Sequence, residues 1–259
     1  MPDPAPGTAL VTGAARRIGR AIALDLGSRG WAVAVHYGTA AAEAHALVRE
    51  IADAGGRAEA IQADLRDEAA TRALMAGAAK ALGPLDLLVN NASVFENDDL
   101  RTATRESWDA HMETNLRAPF VLCQEFAKQD RFSRGPATGN IVNILDERVW
   151  KPTPFFASYT LSKSALWTLT RTLALALAPG IRVNAIGPGP TLPSPRQTEA
   201  QFARQVAALP LKRGPALSEI CDAVRFILGA ASMTGQMIAL DGGQHLGWQN
   251  PGGGAKPEE

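Results

Sequence analysis

The chain has 259 residues and no formal net charge, with 26 Lys plus Arg against 26 Asp plus Glu. That length buries a large core as one domain, and the even charge argues against a nucleic-acid partner and against an acidic, cation-binding protein. Two cysteines without CxxC spacing, Cys123 and Cys221, fit a reducing cytoplasm, the first residues lack a leader pattern, and no apolar run is long enough to span a membrane.

In chain order, residues 1–6 read as a tail, and Thr8 to Thr12 as a buried strand. Ile18, Ile22 and Leu26 then recur every four residues, a helical stripe that Gly30 can end. Further strands are expected at Trp31 to His36, Leu85 to Asn90, Asn140 to Leu145, Ile181 to Ile186 and Met237 to Leu240. Leu161, Ala165, Leu169 and Leu173 form another helical stripe, stopped by Pro179-Gly180. Residues 191–211, rich in Pro and polar side chains, read as a substrate loop or lid, with a short helix from about Thr198 to Ala208. Residues 250–259 read as a loose polar tail. Near-continuous apolar strands alternating with helices mean an α/β fold, a doubly wound parallel sheet covered on both faces as a single three-layer domain over 1–259.

Thr12-Gly13-Ala-Ala-Arg16-Arg17-Ile18-Gly19 follows the first strand and opens the first helix. A dinucleotide pyrophosphate docks at such a turn, because backbone N–H groups and the helix dipole face the phosphates while glycine allows close approach. The Gly-x5-Gly spacing is not G-x-G-x-x-G, so the turn alone is weak evidence. The next strand sharpens it: His36-Tyr37-Gly38-Thr39 carries no acid for a ribose diol, while Arg16 and Arg17 sit in the turn. Cations without a carboxylate favour a 2′-phosphate, hence NADPH/NADP+. The bland reading leaves both arginines as solvated surface.

Tyr159 and Lys163 are four residues apart, about one helical turn, so a helix puts phenol and ammonium on one face. A nearby cation favours phenolate, which suits Tyr159 as a proton donor near neutral pH and points to reduction of a C=O or C=N bond. Four scattered histidines without metal-ligand spacing argue against a metal centre, and Ser162 and Ser164 lack a His–Asp arrangement for hydrolysis. Trp150, Phe155, Phe156 and Trp167 read as core or subunit interface, and Asn91-Ala92-Ser93 as a chance glycosylation sequon.

Together the Thr-Gly-x5-Gly turn, Asp64-Leu65, Asn90-Asn91-Ala92, Asn115, Tyr159-x3-Lys163, Asn184 and Pro188-Gly189 resemble the short-chain dehydrogenase/reductase family from about Thr8 to Gly243. The resemblance implies a Rossmann fold, a small-molecule substrate and a homotetramer packed through the helix carrying Tyr159 and its neighbour. It implies that Gly13, Arg16, Arg17, Ile18, Gly19, His36, Tyr37, Asp64, Leu65, Asn90, Asn91, Ala92, Pro188 and Gly189 bind the cofactor. Asp64 would meet the adenine, and Pro188 and Gly189 would flank the nicotinamide. Asn115 would hold a helix kink and a water in the proton relay; Tyr159 would be the acid and Lys163 its partner on the nicotinamide ribose.

Two departures narrow the substrate. Most of that family has glycine where Arg17 stands and serine where Asp146 stands, thirteen residues before Tyr159. Both departures, with His36-Tyr37 and Asn91-Ala92-Ser93-Val94-Phe95, look like the pteridine, dihydromonapterin and dihydrofolate reductases of the family, where the phenylalanine stacks on the pterin. Arg17, Ser93, Phe95, Asp146 and Tyr159 are then expected at the substrate. The chemistry agrees: serine donates a neutral hydrogen bond to a developing alkoxide, whereas a carboxyl suits a ring that presents N–H donors and needs protons on nitrogen or carbon. Against this, Phe95 reads as ordinary core, and Asp146 as a helix cap or a partner of Arg148. Two other functions stay open: a carbonyl reductase for a keto-acyl, sugar or steroid-like substrate, and a non-catalytic NADPH-binding sensor.

Overall fold

The computed structural model describes residues 5–133 and 139–247; the tail 250–259, Trp248 and the first four residues lie outside them. The strands are β1 Thr8–Val11, β2 Ala32–Tyr37, β3 Arg57–Gln62, β4 Leu87–Asn90, β5 Gly139–Ile144, β6 Ile181–Pro188 and β7 Met237–Leu240. The helices are α1 Arg17–Ser28, α2 Ala41–Asp53, α3 Glu68–Leu82, α4 Arg105–Met112, α5 Ala118–Ala127, α6 Ala157–Ala176, α7 Glu199–Ala207 and α8 Leu217–Gly229. One parallel seven-stranded sheet results, in the order β3-β2-β1-β4-β5-β6-β7. The doubly wound α/β expectation is met.

Alternate residues of each central strand feed two cores, as a sheet buried on both faces requires. Ala9, Val11, Leu87, Val89, Val142 and Ile144 meet Ile22 and Leu26 of α1, Leu47 of α2 and Val224 and Ile227 of α8. Leu10, Leu88, Ile141 and Val183 meet Leu74 of α3 and Leu122 and Phe126 of α5 on the other side.

Two elements differ from the sequence expectation. β3 was not anticipated, because Arg-Ala-Glu-Ala-Ile-Gln is a polar alternation rather than an apolar run. It lies at the sheet edge and pairs only with β2, so one of its sides stays solvated. In α6 the stripe of Leu161, Ala165, Leu169 and Leu173 is not the buried one: Leu161 is 49% exposed. The buried line is Tyr159, Lys163, Leu166, Thr170 and Ala174. The more polar face goes inward because it supplies the site and a buried hydrogen-bond chain.

That chain crosses the middle of the sheet. Asn90 Nδ2 donates to Asn143 Oδ1 (2.8 Å), Asn143 Nδ2 to Thr170 Oγ1 (2.9 Å), and Thr170 Oγ1 to the Leu166 carbonyl (2.8 Å). It ties β4, β5 and α6 together where water is excluded, so each bond lost strands a partner. Asn143→Ala should lower unfolding free energy by about 2–3 kcal/mol in urea titrations.

Candidate active site

The phosphate turn is built round two glycines. Gly13 has φ +61°, and a Cβ there would lie 2.9 Å from the Ala92 backbone. At Gly19 a Cβ would lie 2.4 Å from Asn91 Nδ2 and 2.5 Å from the Gly13 carbonyl. No larger residue fits this crossing of β1, α1 and the end of β4. Asn91 Nδ2 closes it by donating to the Thr12 and Gly13 carbonyls (2.8 and 3.2 Å), and Ala92 N–H donates to Thr12 Oγ1 (3.0 Å).

His36 holds the same turn from the end of β2. Gly13 N–H donates to His36 Nδ1 (3.0 Å), Ala14 N–H donates to the His36 carbonyl (2.9 Å), and Nε2 lies 3.2 Å from the Ala63 carbonyl. An acceptor at Nδ1 and a donor at Nε2 require the neutral ring. Burial agrees, pushing the imidazole down to about 4. His36 therefore shapes the turn, and Tyr37 beside it lines the cavity.

Arg16 and Arg17 are both engaged by protein. Arg16 forms an ion pair with Glu43 of α2. Arg17 stands at φ +56°, a left-handed conformation that explains why a glycine would sit there more easily. From this position its guanidinium donates to the carbonyls of Pro193 (2.8 Å) and Leu192 (3.2 Å), in the loop between β6 and α7. Asp64 caps its own turn and pairs with Arg66.

The proton-transfer residues meet at the ends of β5 and α6. Asp146 caps the short turn Glu147–Val149 by accepting from the Arg148 N–H (2.9 Å), and Arg148 Nη1 lies 3.3 Å from Oδ2. The same Oδ2 accepts from the Tyr159 hydroxyl at 2.8 Å. The cap, the ion pair and the contact with Tyr159 thus coexist in one carboxylate. Lys163 is 2% exposed, and its Nζ donates to the Ile144 carbonyl (2.8 Å) and lies 5.7 Å from the centre of the Tyr159 ring. Burial brings its ammonium down to about 8, with the charge of Asp146 opposing. Asn115 occupies a π-helical turn, Glu113–Arg117. Its amide exchanges hydrogen bonds with Val94 N–H (2.8 Å) and carbonyl (2.9 Å) and donates to Ser162 Oγ (3.0 Å).

Phe95 forms an aromatic corner, stacked on Phe156 (4.6 Å, 7°) and edge-on to Tyr159 (4.7 Å, 72°). Arg148 lies 5.4 Å from its ring and Arg196 5.7 Å. Arg196 also donates to the Phe95 carbonyl (2.6 Å) and pairs with Glu96, fastening the loop before α7 to this corner.

A cavity of about 870 Å³ gathers these groups, within the range of small-molecule sites. Its wall includes Gly13, Arg16, Arg17, Ile18, Gly19, His36, Tyr37, Asp64, Leu65, Asn91 and Ala92 at one end. It continues through Ser93, Phe95, Asp146, Tyr159, Lys163, Pro188 and Gly189. Asn90 and Asn115 stand behind the wall. Asn90, expected in the groove, is instead consumed by the buried chain to Asn143.

Several participants escaped sequence reasoning. Asp98 is 3% exposed and holds the start of α6, its Oδ1 accepting from Ser158 N–H (3.0 Å) and its carbonyl from Ala157 N–H (3.1 Å). Phe156, just before α6, is left-handed at φ +56°. Asp98 and Arg196 lie in irregular segments, where no periodicity marks a side chain as inward.

A family model described as short chain dehydrogenase matches residues 7–204. The FolM alternative dihydrofolate reductase 1 of Brucella canis, solved with NADP, is 50% identical, at TM-score 0.88 over 95% of this chain and 96% of that one. The same enzyme of Brucella suis, also with NADP, is 51% identical, at TM-score 0.89 over 94% of this chain and 97% of that one. A 3-oxoacyl-[acyl-carrier-protein] reductase of Staphylococcus aureus is 33% identical over 244 residues, 92% of this chain and 98% of its own.

The geometry of His36 has a pH consequence. Its folded value lies below the ordinary 6.5, so folding favours the neutral ring. That stabilisation is complete above about pH 6.5 and drains away as pH falls towards 4, because the unfolded chain takes up the proton first. The parent should lose roughly 3 kcal/mol over this range that His36→Gln does not lose, measured by urea unfolding at a series of pH values.

Proposed function

The chain belongs to the short-chain dehydrogenase family, and from that premise we propose that it is an NADPH-dependent reductase of pteridines or related dihydropterins. The observation that carries this reading is the 2.8 Å hydrogen bond from Tyr159 to Asp146, in a cavity that also presents Phe95. The FolM enzymes that this chain resembles over nearly its full length support it.

The residues present fit the cofactor. Gly13, Arg16, Arg17, Ile18 and Gly19, at the start of α1, line the cavity where phosphates would bind. The end of β2 offers no carboxylate to repel a 2′-phosphate, and Arg16 stands within the same wall. Gly189 has no room for a side chain, since a Cβ would lie 2.8 Å from the Asp241 backbone, so the chain stays thin where the nicotinamide would lie. When bound, the cofactor supplies a hydride to a ring carbon of the substrate.

The protein supplies position and protons. Phe95, fixed on Phe156, offers an aromatic surface beside Tyr159. Arg17 reaches across the cavity to the loop from Thr191 and orients the ring edge. The Tyr159 hydroxyl gives its proton to the substrate, and Asp146 passes a replacement proton to the phenolate oxygen. Lys163 keeps a positive charge beneath Tyr159 and favours the phenolate while it lasts.

The active unit is a homotetramer in the cytoplasm. Exposed apolar side chains on two neighbouring helices, Trp108 on α4 and Leu161 and Leu175 on α6, support packing between copies. Among the described residues no helix is long and apolar enough to cross a membrane.

Turnover of dihydrobiopterin, dihydromonapterin and dihydrofolate with NADPH tests the substrate class; no NADPH consumption with any of them overturns it. Asp146→Ser should lower kcat for the pterin by about 100-fold. If the variant instead keeps or gains reduction of an acetoacetyl thioester while the parent ignores pterins, the carbonyl-reductase reading replaces this one. Light scattering should give four times the chain mass, and Leu161→Glu should shift it to smaller species.

A further inference from the structure

Glu147 is a buried carboxyl that the steps above leave idle. It follows Asp146 directly, is 4% exposed and lies in the wall of the same cavity. Its Oε2 is enclosed and meets no hydrogen-bond partner among the described residues. Its own turn places Asp146 and Arg148 beside it, and Lys151 follows one turn later. Asp241 faces it from the segment after β7, already committed to His245 Nδ1 (2.6 Å) and the Gly243 N–H (2.9 Å). On α6, Tyr159 donates to Asp146 and Lys163 to the Ile144 carbonyl. An ionised carboxylate with one oxygen unsolvated, between two aspartates, is costly despite Arg148 and Lys151 nearby. Burial first, and the charge of Asp146 second, push the carboxyl up to about 8.

We propose that Glu147 is the proton reserve of the site, a buried carboxyl in the cavity wall whose proton replaces the one that Tyr159 delivers. The proposal rests on the reductase reading. Tyr159 loses its proton as the new bond to the substrate forms, leaving a phenolate beside the Asp146 carboxylate with no proton between them. A carboxylate at Asp146 has no proton to give until one arrives. The O–H bond of Glu147 breaks, its proton passes through water in the shared cavity to form an O–H bond on Asp146, and a proton moves on from Asp146 to the Tyr159 oxygen. Glu147 is left as carboxylate and is refilled from water. Glu147 touches neither substrate nor cofactor; it is a positioning residue that acts through Asp146.

Two measurements test this. Difference infrared spectra of the parent, taken between about pH 6.5 and pH 9.5, should show a protonated carboxyl band that disappears at the higher pH and is missing from Glu147→Gln. Failure to find that band overturns the proposal whatever the substrate. In the second, kcat is followed against pH with whichever dihydropterin or acetoacetyl thioester the parent reduces. Parent kcat should fall as pH rises past about 8. Glu147→Gln should lower kcat at neutral pH about tenfold, reduce the alkaline fall to the part that Lys163 imposes and leave the KM for NADPH within about twofold. Glu147→Asp should retain the alkaline fall. A Glu147→Gln enzyme with the parent's kcat and pH profile overturns the reserve role. A parent that reduces neither substrate instead sinks the reductase reading, and the reserve role with it.

Discussion

Lys163 is a buried cation tethered to the carbonyl of Ile144, the last residue of β5, and the site is organised round that one bond. A buried ammonium needs a partner, and this one takes a main-chain carbonyl rather than a carboxylate. The tether presses the first turns of α6 against the end of β5. Tyr159, one turn earlier, is thereby set against Asp146, which leaves β5 two residues after Ile144. The sheet supplies the rest of the constraint. All its strands run one way, so β1, β2, β4, β5 and β6 end along one edge, and every loop of the site rises from that edge.

Strained backbone flanks the site on both sides. Arg17 and Phe156 both hold left-handed conformations without being glycine, and each gains something from it. Arg17 is turned towards the loop from Thr191, where it finds two carbonyls. Phe156 turns the chain into α6 while its ring stays buried beneath Phe95. Asp98 then stabilises that entry by capping α6. The aromatic corner, the helix start and the hydroxyl of Tyr159 are one mechanical unit.

The parts of the fold that were legible are those where burial is symmetrical. A strand covered on both faces is largely apolar, so β1, β2, β4, β5 and β6 announce themselves; β7, at the opposite edge from β3, does so because Met-Ile-Ala-Leu is apolar all along. β3 does not, because an edge strand with one solvated side tolerates Arg57, Glu59 and Gln62. Helix α7 was expected from about Thr198, and the structure starts it there with a capping box between Thr198 and Gln201. The inward face of α6 was not, since its leucine stripe looked like core. What decides its rotation is the demand for a buried Lys163, a buried Thr170 and an inward Tyr159, none of which a hydropathy pattern weighs.

For the site, the chain alone determined the chemistry available: a glycine turn before a helix, two arginines with no acid at the end of the next strand, and a tyrosine and lysine one turn apart with an aspartate upstream. These are matters of local spacing, which helical and strand geometry convert into direction. The tertiary structure decided everything that depends on separation in the sequence. It placed Asp146 on the hydroxyl of Tyr159, made His36 a brace for Gly13 within the cavity wall, and drew Asn90 into a buried chain. It also buried Glu147 beside Asp146 in the cavity wall. Burial and long-range contact set the protonation and the partner of a polar side chain, and neither can be read until the chain has closed round it.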